Sequence, residues 1–189
     1  MIRAALLATF LAWLSVAATA APDDLTEYWS SEYHYGIAYP SNWKVEPANK
    51  FDGSEVFSVL NSAMDVNINV LAKRLSPQNK GRYRTIADMP DAKEYFATLI
   101  RDEIGGVSIQ SGITQISNEP ALWFTYSMVR KSLNREVWFS VYQIQVLRKD
   151  ISYSISAKVS GLSREQAVAK YKKYLPTINR TIASLTFAL

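Results

Sequence analysis

The chain reads as an α+β protein, an antiparallel β-sheet with helices packed against it. Three observations predict this. Apolar residues recur at period two in two separate batches, before residue 72 and after residue 107. Each batch is followed by a stretch whose apolar residues return at helical spacing. The breaks between the later strands are only two to four residues long, which suits hairpins and excludes the crossovers that parallel strands need.

The N-terminus carries Arg3, an apolar run from Ala4 to Val16 and small residues ending Ala18-Thr19-Ala20. This is the pattern of a secretory signal peptide, with cleavage expected before Ala21. Residues 21–31 are expected to be a mobile lead-in and residues 32–189 a single domain. The 189-residue chain contains no cysteine, so neither a disulfide nor a lipidated cysteine is available. Export without disulfides favours a periplasmic or secreted bacterial protein. Arg3 is the only charged residue among the first twenty, so the 21 basic residues fall to 20 against 17 acidic, a net +3. That balance is too mild for a nucleic-acid partner.

Tyr33, Tyr35, Ile37 and Tyr39 alternate with His34, Gly36 and Ala38, the signature of a strand with four large side chains on one face. Pro40 has no N–H for a ladder, so the chain is expected to reverse there and start a second strand at Trp43. Residues 48–53 read as a turn and Glu55–Leu60 as a strand. Met64–Leu71 alternates cleanly, with Met64, Val66, Ile68 and Val70 opposite Asp65, Asn67 and Asn69. Residues 73–85 form a long loop. Asp88 is the expected cap of a helix that begins near Pro90 and stops at Gly105-Gly106. Val107–Ser117, Ala121–Lys131, Glu136–Arg148 and Ile151–Val159 follow as a four-strand meander. In the last of these, Ile151, Tyr153, Ile155 and Ala157 oppose Ser152, Ser154 and Ser156, so one face is apolar and the other small and polar. Ser163 and Gln166 match a capping box. Behind them Ala167, Tyr171, Tyr174, Ile178, Ile182 and Leu185 form a helical stripe, with a kink or break expected near Tyr174 because Pro176 interrupts it.

The segment Ile37-Ala38-Tyr39-Pro40-Ser41-Asn42-Trp43, together with Asn118-Glu119-Pro120-Ala121 and the element order, resembles the PsbP-like superfamily, which includes extrinsic photosystem II proteins and DcrB-type periplasmic proteins. The resemblance covers nearly the whole mature chain. It implies an α/β/α sandwich and, since most members lack a demonstrated activity, a non-enzymatic role.

The residues themselves point to no catalytic set, no cofactor and no metal site. His34 is the only histidine, no Gly-x-Ser-x-Gly elbow occurs, and Gly105-Gly106 follows a helix instead of opening one. Asp52, Glu55 and Asp65 lie near turns in the first batch of strands, and a hydrolase or metal-dependent enzyme would be centred on His34 and these acids. Charge is the better guide. Lys73, Arg74, Lys80, Arg82 and Arg84 lie in one stretch without an acid, and Arg164, Lys170, Lys172, Lys173 and Arg180 face only Glu165. Solvated faces are the plain explanation; the sharper one is a binding or assembly module that docks on an acidic protein or an anionic membrane surface in the cell envelope. A third expectation is a small-molecule or lipid carrier with a pocket between sheet and helix lined by Trp123, Trp138 and Tyr142.

Overall fold

The computed structural model describes residues 24–51, 53–132 and 135–188; the expected signal peptide lies outside them. Seven strands form one antiparallel sheet: β3 (Lys44–Phe51), β4 (Ser54–Asn61), β5 (Val66–Arg74), β6 (Val107–Ile116), β7 (Glu119–Ser132), β8 (Arg135–Arg148) and β9 (Ile151–Gly161). Their spatial order is β3-β4-β5-β9-β8-β7-β6. The two batches of strands therefore join where β5 meets β9, with Ile68 opposite Ala157 and Val70 opposite Ile155. The fold is α+β, as the period-two and helical patterns predict.

Several parts of the chain differ from expectation. Residues 48–53 do not all form a turn: β3 continues to Phe51 through a bulge between Glu46 and Asn49. Pro47 sits within that irregularity on an edge strand, where its missing N–H breaks no regular ladder. Leu25–Ser30 is not a loose lead-in but a strand, β1, paired residue for residue with β2 (Tyr35–Pro40), from Leu25 opposite Pro40 to Ser30 opposite Tyr35. A Cβ on Gly36 would stand 2.7 Å from the Trp29 ring, so the glycine is what lets that indole lie across β2. After Ser184 the chain leaves the helix and adds β10 (Thr186–Phe187) to the other side of β2.

β2 is thus the centre of a second, three-stranded sheet, β1-β2-β10. It does not pair with the strand that follows it. The Pro40 turn, closed by the Trp43 N–H donating to the Pro40 carbonyl at 3.0 Å, passes the chain from the small sheet to the edge of the large one. Tyr33, Tyr35, Ile37 and Tyr39 are all buried, so the face assignment holds even though the pairing differs.

Helix α1 (Ala92–Asp102) begins three residues later than Asp88 would place it. The Asp88 carboxylate instead accepts the backbone N–H groups of Arg84 (3.1 Å) and Thr85 (2.9 Å), which closes a 3-10 turn at Ile86–Asp88. Helix α2 (Arg164–Ala183) is capped by Ser163, whose hydroxyl accepts the Gln166 N–H at 3.2 Å. The side chain of Gln166 accepts from Leu162, one residue before the cap. α2 runs through Pro176 without the expected break. Pro176 and Lys172 both lie on its exposed side, where a carbonyl that loses its helical partner can be solvated.

α2 and the small sheet cover one face of the large sheet. Phe57, Ile68, Val70, Tyr153, Ile155 and Ile178 are buried between them. α1 and the 3-10 turn cover part of the other face, over Leu122, Phe124 and Val141. Trp43, 5% exposed, belongs to the first core, beside the turn that joins the two sheets. Trp43→Ala should lower unfolding free energy by about 3–5 kcal/mol, the range for emptying a large aromatic site. Urea unfolding checks it; a midpoint unchanged from wild type would contradict the packing described.

Candidate functional site

The alternation that seals one face of the large sheet sends Ser154, Ser156, Lys158 and Ser160 of β9 to the other. Cross-strand pairing surrounds them with side chains of the same face: Asn67 and Asn69 from β5, Gln143 and Phe139 from β8. α1 packs beside β6, and the 3-10 turn against β7 and β8, so this face is roofed at one side only. Over the remaining strands it forms a groove with two lobes. The outer lobe encloses about 440 Å³ and is bounded by Leu60, Ser62, Asn67, Phe139 and Ser160. The inner lobe encloses about 330 Å³ and is bounded by Val56, Leu71, Ile104, Tyr126 and Gln143. Met128, Arg130 and Lys158 line both, which places two cations where the lobes meet.

The polar floor is ordered. The Tyr126 hydroxyl donates to Gln143 Oε1 at 2.7 Å, and the Gln145 amide donates to Ser154 Oγ at 3.0 Å. Burial in the groove, reinforced by the nearby Arg130 guanidinium, holds the Lys158 ammonium below the usual lysine range. Among the described residues neither Lys158 nor Arg130 has an ion-pair partner. The one carboxylate on the lining, Asp65 at the outer rim, is engaged by Lys170 of α2.

This groove is not the pocket expected from the aromatic residues. Trp123, Trp138 and Tyr142 point to the α2 face, where Trp123 and Tyr142 pack against the main core. The physical reason is register: Trp123 lies opposite Ile144, and Tyr142 opposite Ala157, both core positions. The signal for the groove was the polar half of β9, in which Lys158 extends a serine series.

The ten basic residues do not form one surface. Lys73 and Arg74 end β5, and Lys80, Arg82 and Arg84 follow in the loop beside the β8–β9 turn. Lys80 approaches Asp150 at 3.7 Å, Arg74 stacks on Tyr33 and Arg82 on Tyr83. Lys170 reaches Asp65 at the opposite end of β5, about 30 Å away at the rise of an extended strand. Arg164 bonds Ser108, Lys173 lies over Tyr174, and Lys172 and Arg180 are exposed on α2.

The residues expected of an enzyme centre also stand apart. His34 is exposed in the turn before β2, in a left-handed conformation with φ 53°. Glu55 is 2% exposed, under the hydroxyls of Tyr28 (3.0 Å) and Tyr35 (3.1 Å), both of which donate to its Oε1, with Lys50 at 3.8 Å. Asp65 is at the far end of the sheet, and Asp52 lies outside the described residues. Among the described residues no group of three or more His, Asp or Glu could hold a metal ion, and no helix is long and apolar enough to cross a membrane.

No protein-family model matches the chain, and no curated protein does. The structure is similar to the solution structure of cyanobacterial PsbP (CyanoP) from Synechocystis sp. PCC 6803, with a TM-score of 0.49 and 11% identity over 93% of this chain and 99% of that one. It is similar to PA94 of Pseudomonas aeruginosa, a protein of unknown function, with a TM-score of 0.47 and 14% identity over 87% and 98%. LpqN of Mycobacterium tuberculosis, involved in cell envelope biogenesis, gives a TM-score of 0.33 and 7% identity over 90% and 88%. A PsbP protein is among the solved structures whose fold this chain is similar to.

Several tyrosines should titrate late. Burial raises Tyr126, Tyr153 and Tyr171 to about 12, and burial together with the hydrogen bond to Glu55 does the same for Tyr28. The unfolded chain ionises near 10. Between these values the folded state keeps protons that the unfolded state has lost, so stability that is complete below pH 10 should fall steadily as pH rises towards 12. Tyrosinate absorbance followed alongside circular dichroism checks this; full ionisation near pH 10 with the fold intact would contradict it.

Proposed function

We propose that the protein is an exported, non-enzymatic binding module whose ligand site is the groove on the open face of the seven-stranded sheet. One observation carries the reading: the sheet is sealed by α2 and the small sheet on one side, while the other keeps two joined lobes of about 440 and 330 Å³. Those volumes are in the range of small-molecule sites, and the mixture of carbon walls with a few hydroxyls and amides is their usual chemistry. Export rests on the N-terminal pattern ending Ala18-Thr19-Ala20. The neutral dye N-phenyl-1-naphthylamine should fluoresce on binding the mature protein. Ser156→Phe, which fills the floor of the inner lobe, should weaken that binding at least tenfold while changing the melting temperature little. Undiminished dye binding by this variant sinks the assignment of the site.

A second reading is docking through the basic loop. The loop folds back on the β8–β9 turn: Leu75 N–H donates to the Asp150 carbonyl at 2.8 Å and Gly81 N–H to its carboxylate at 3.1 Å. Lys73, Arg82 and Arg84 are left exposed on one ordered segment, and at physiological ionic strength charges reinforce one another only within about 8 Å. Replacing Lys80, Arg82 and Arg84 together with Ser should leave stability nearly unchanged, since the one ion pair lost is at the surface. Binding to phosphatidylglycerol vesicles should become weaker and less sensitive to salt. Equal binding by the triple variant returns these residues to the role of solvated charges.

A further inference from the structure

The groove has a charge pattern that a general apolar site would not need. Its walls are largely carbon, yet Lys158 rises from the centre of its floor, flanked across the ladder by Val141 and Asn67. Arg130 reaches in from β7 and lines both lobes beside it. Two like charges at one place repel, and the half-buried one is partly stripped of water. Both effects disfavour the arrangement unless an anion is present. Asp65 does not supply that anion, being at the rim and held by Lys170. No other carboxylate lines either lobe.

We infer that the groove binds amphiphilic anions, with Lys158 and Arg130 holding a carboxylate or phosphate head where the lobes meet and the hydrocarbon lying against Leu60, Phe139, Leu71 and Ile104. This rests on the groove being the ligand site and adds the class of ligand. The lysine supplies a compact charge from below and the guanidinium a planar donor fork from the lip, a pairing that suits oxyanions. Ser156 and Ser160 keep the floor low on either side of Lys158, so a chain can pass along it. A cationic amphiphile meets two charges of its own sign, and a small inorganic anion leaves the apolar walls unused.

The test uses the mature protein loaded with N-phenyl-1-naphthylamine and displaced by dodecanoate, dodecyl phosphate, dodecanol or dodecylamine, with acetate and inorganic phosphate followed by calorimetry. Dodecanoate and dodecyl phosphate should displace the dye at concentrations at least tenfold below dodecanol. Dodecylamine should be weakest, and acetate and phosphate should not bind measurably. Lys158→Met and Arg130→Met should each erode the preference for the anion while keeping dye binding, and Lys158→Arg should restore it. Dodecanol matching dodecanoate in the wild type, a preference that survives both methionine variants, or inorganic phosphate binding as tightly as dodecyl phosphate would each overturn the inference while the groove still binds dye. A wild type that takes up no dye and no amphiphile would instead remove the ligand site itself.

Discussion

The two faces of β9 set the terms for the rest of the molecule. Because successive side chains of a strand point to opposite sides, a single eleven-residue segment supplies Tyr153, Ile155, Ala157 and Val159 to the core and Ser154, Ser156, Lys158 and Ser160 to the groove. β9 lies between β5 and β8, so its register is imposed on both neighbours. A slip of one residue would bury the lysine and expose the tyrosine and isoleucine, which is why the register is so strongly specified.

The closed face is built from two sheets that share no ladder, so side chains must join them. Burial of Tyr35, Ile37 and Phe57 supplies the main driving force, and polar contacts give it direction. Glu55 faces the core and accepts from Tyr28 and Tyr35 of the small sheet, while Tyr153 of the large sheet donates to the Tyr33 carbonyl at 2.7 Å. A buried carboxylate is tolerable here because hydroxyls and the Lys50 ammonium surround it. The C-terminal segment completes this side: Ser184 Oγ accepts the Ala38 N–H at 2.8 Å, and β10 pairs with the free edge of β2.

The open face follows a different logic. Small hydroxyl-bearing residues on β9 leave space that larger ones would fill, and asparagine and glutamine around them add neutral polar groups beside Lys158. α1 stops at Asp102 and the chain turns through Ile104 to Gly106, whose neighbours Ile100 and Tyr126 lie so close that a Cβ could not be accommodated. The helix therefore ends beside the inner lobe instead of covering it. A cavity that is partly apolar, ordered at its floor and cationic at its waist is then a consequence of where the helix ends.

The alternation of Met64–Leu71 and of Ile151–Val159, the hairpin breaks of the meander, the Ser163 cap and the stripe on α2 were all legible in the sequence, because each depends on neighbours within a few residues. So was the burial of Trp43. The pairing of β1 and β10 with β2 was not, since two-residue and exposed strands have little pattern of their own and are stabilised by a partner far along the chain. Nor could the placement of Asp88 be read, because its carboxylate had a choice between capping α1 and closing the turn at Thr85. The groove shows the same division. The polar half of β9 was visible as a series of serines with one lysine. That Arg130, some thirty residues earlier, would share its cavity, and that the tryptophans would face the opposite core, was decided by the register of β7 and β8 and by which face α2 covers, quantities that exist only once the sheet is assembled.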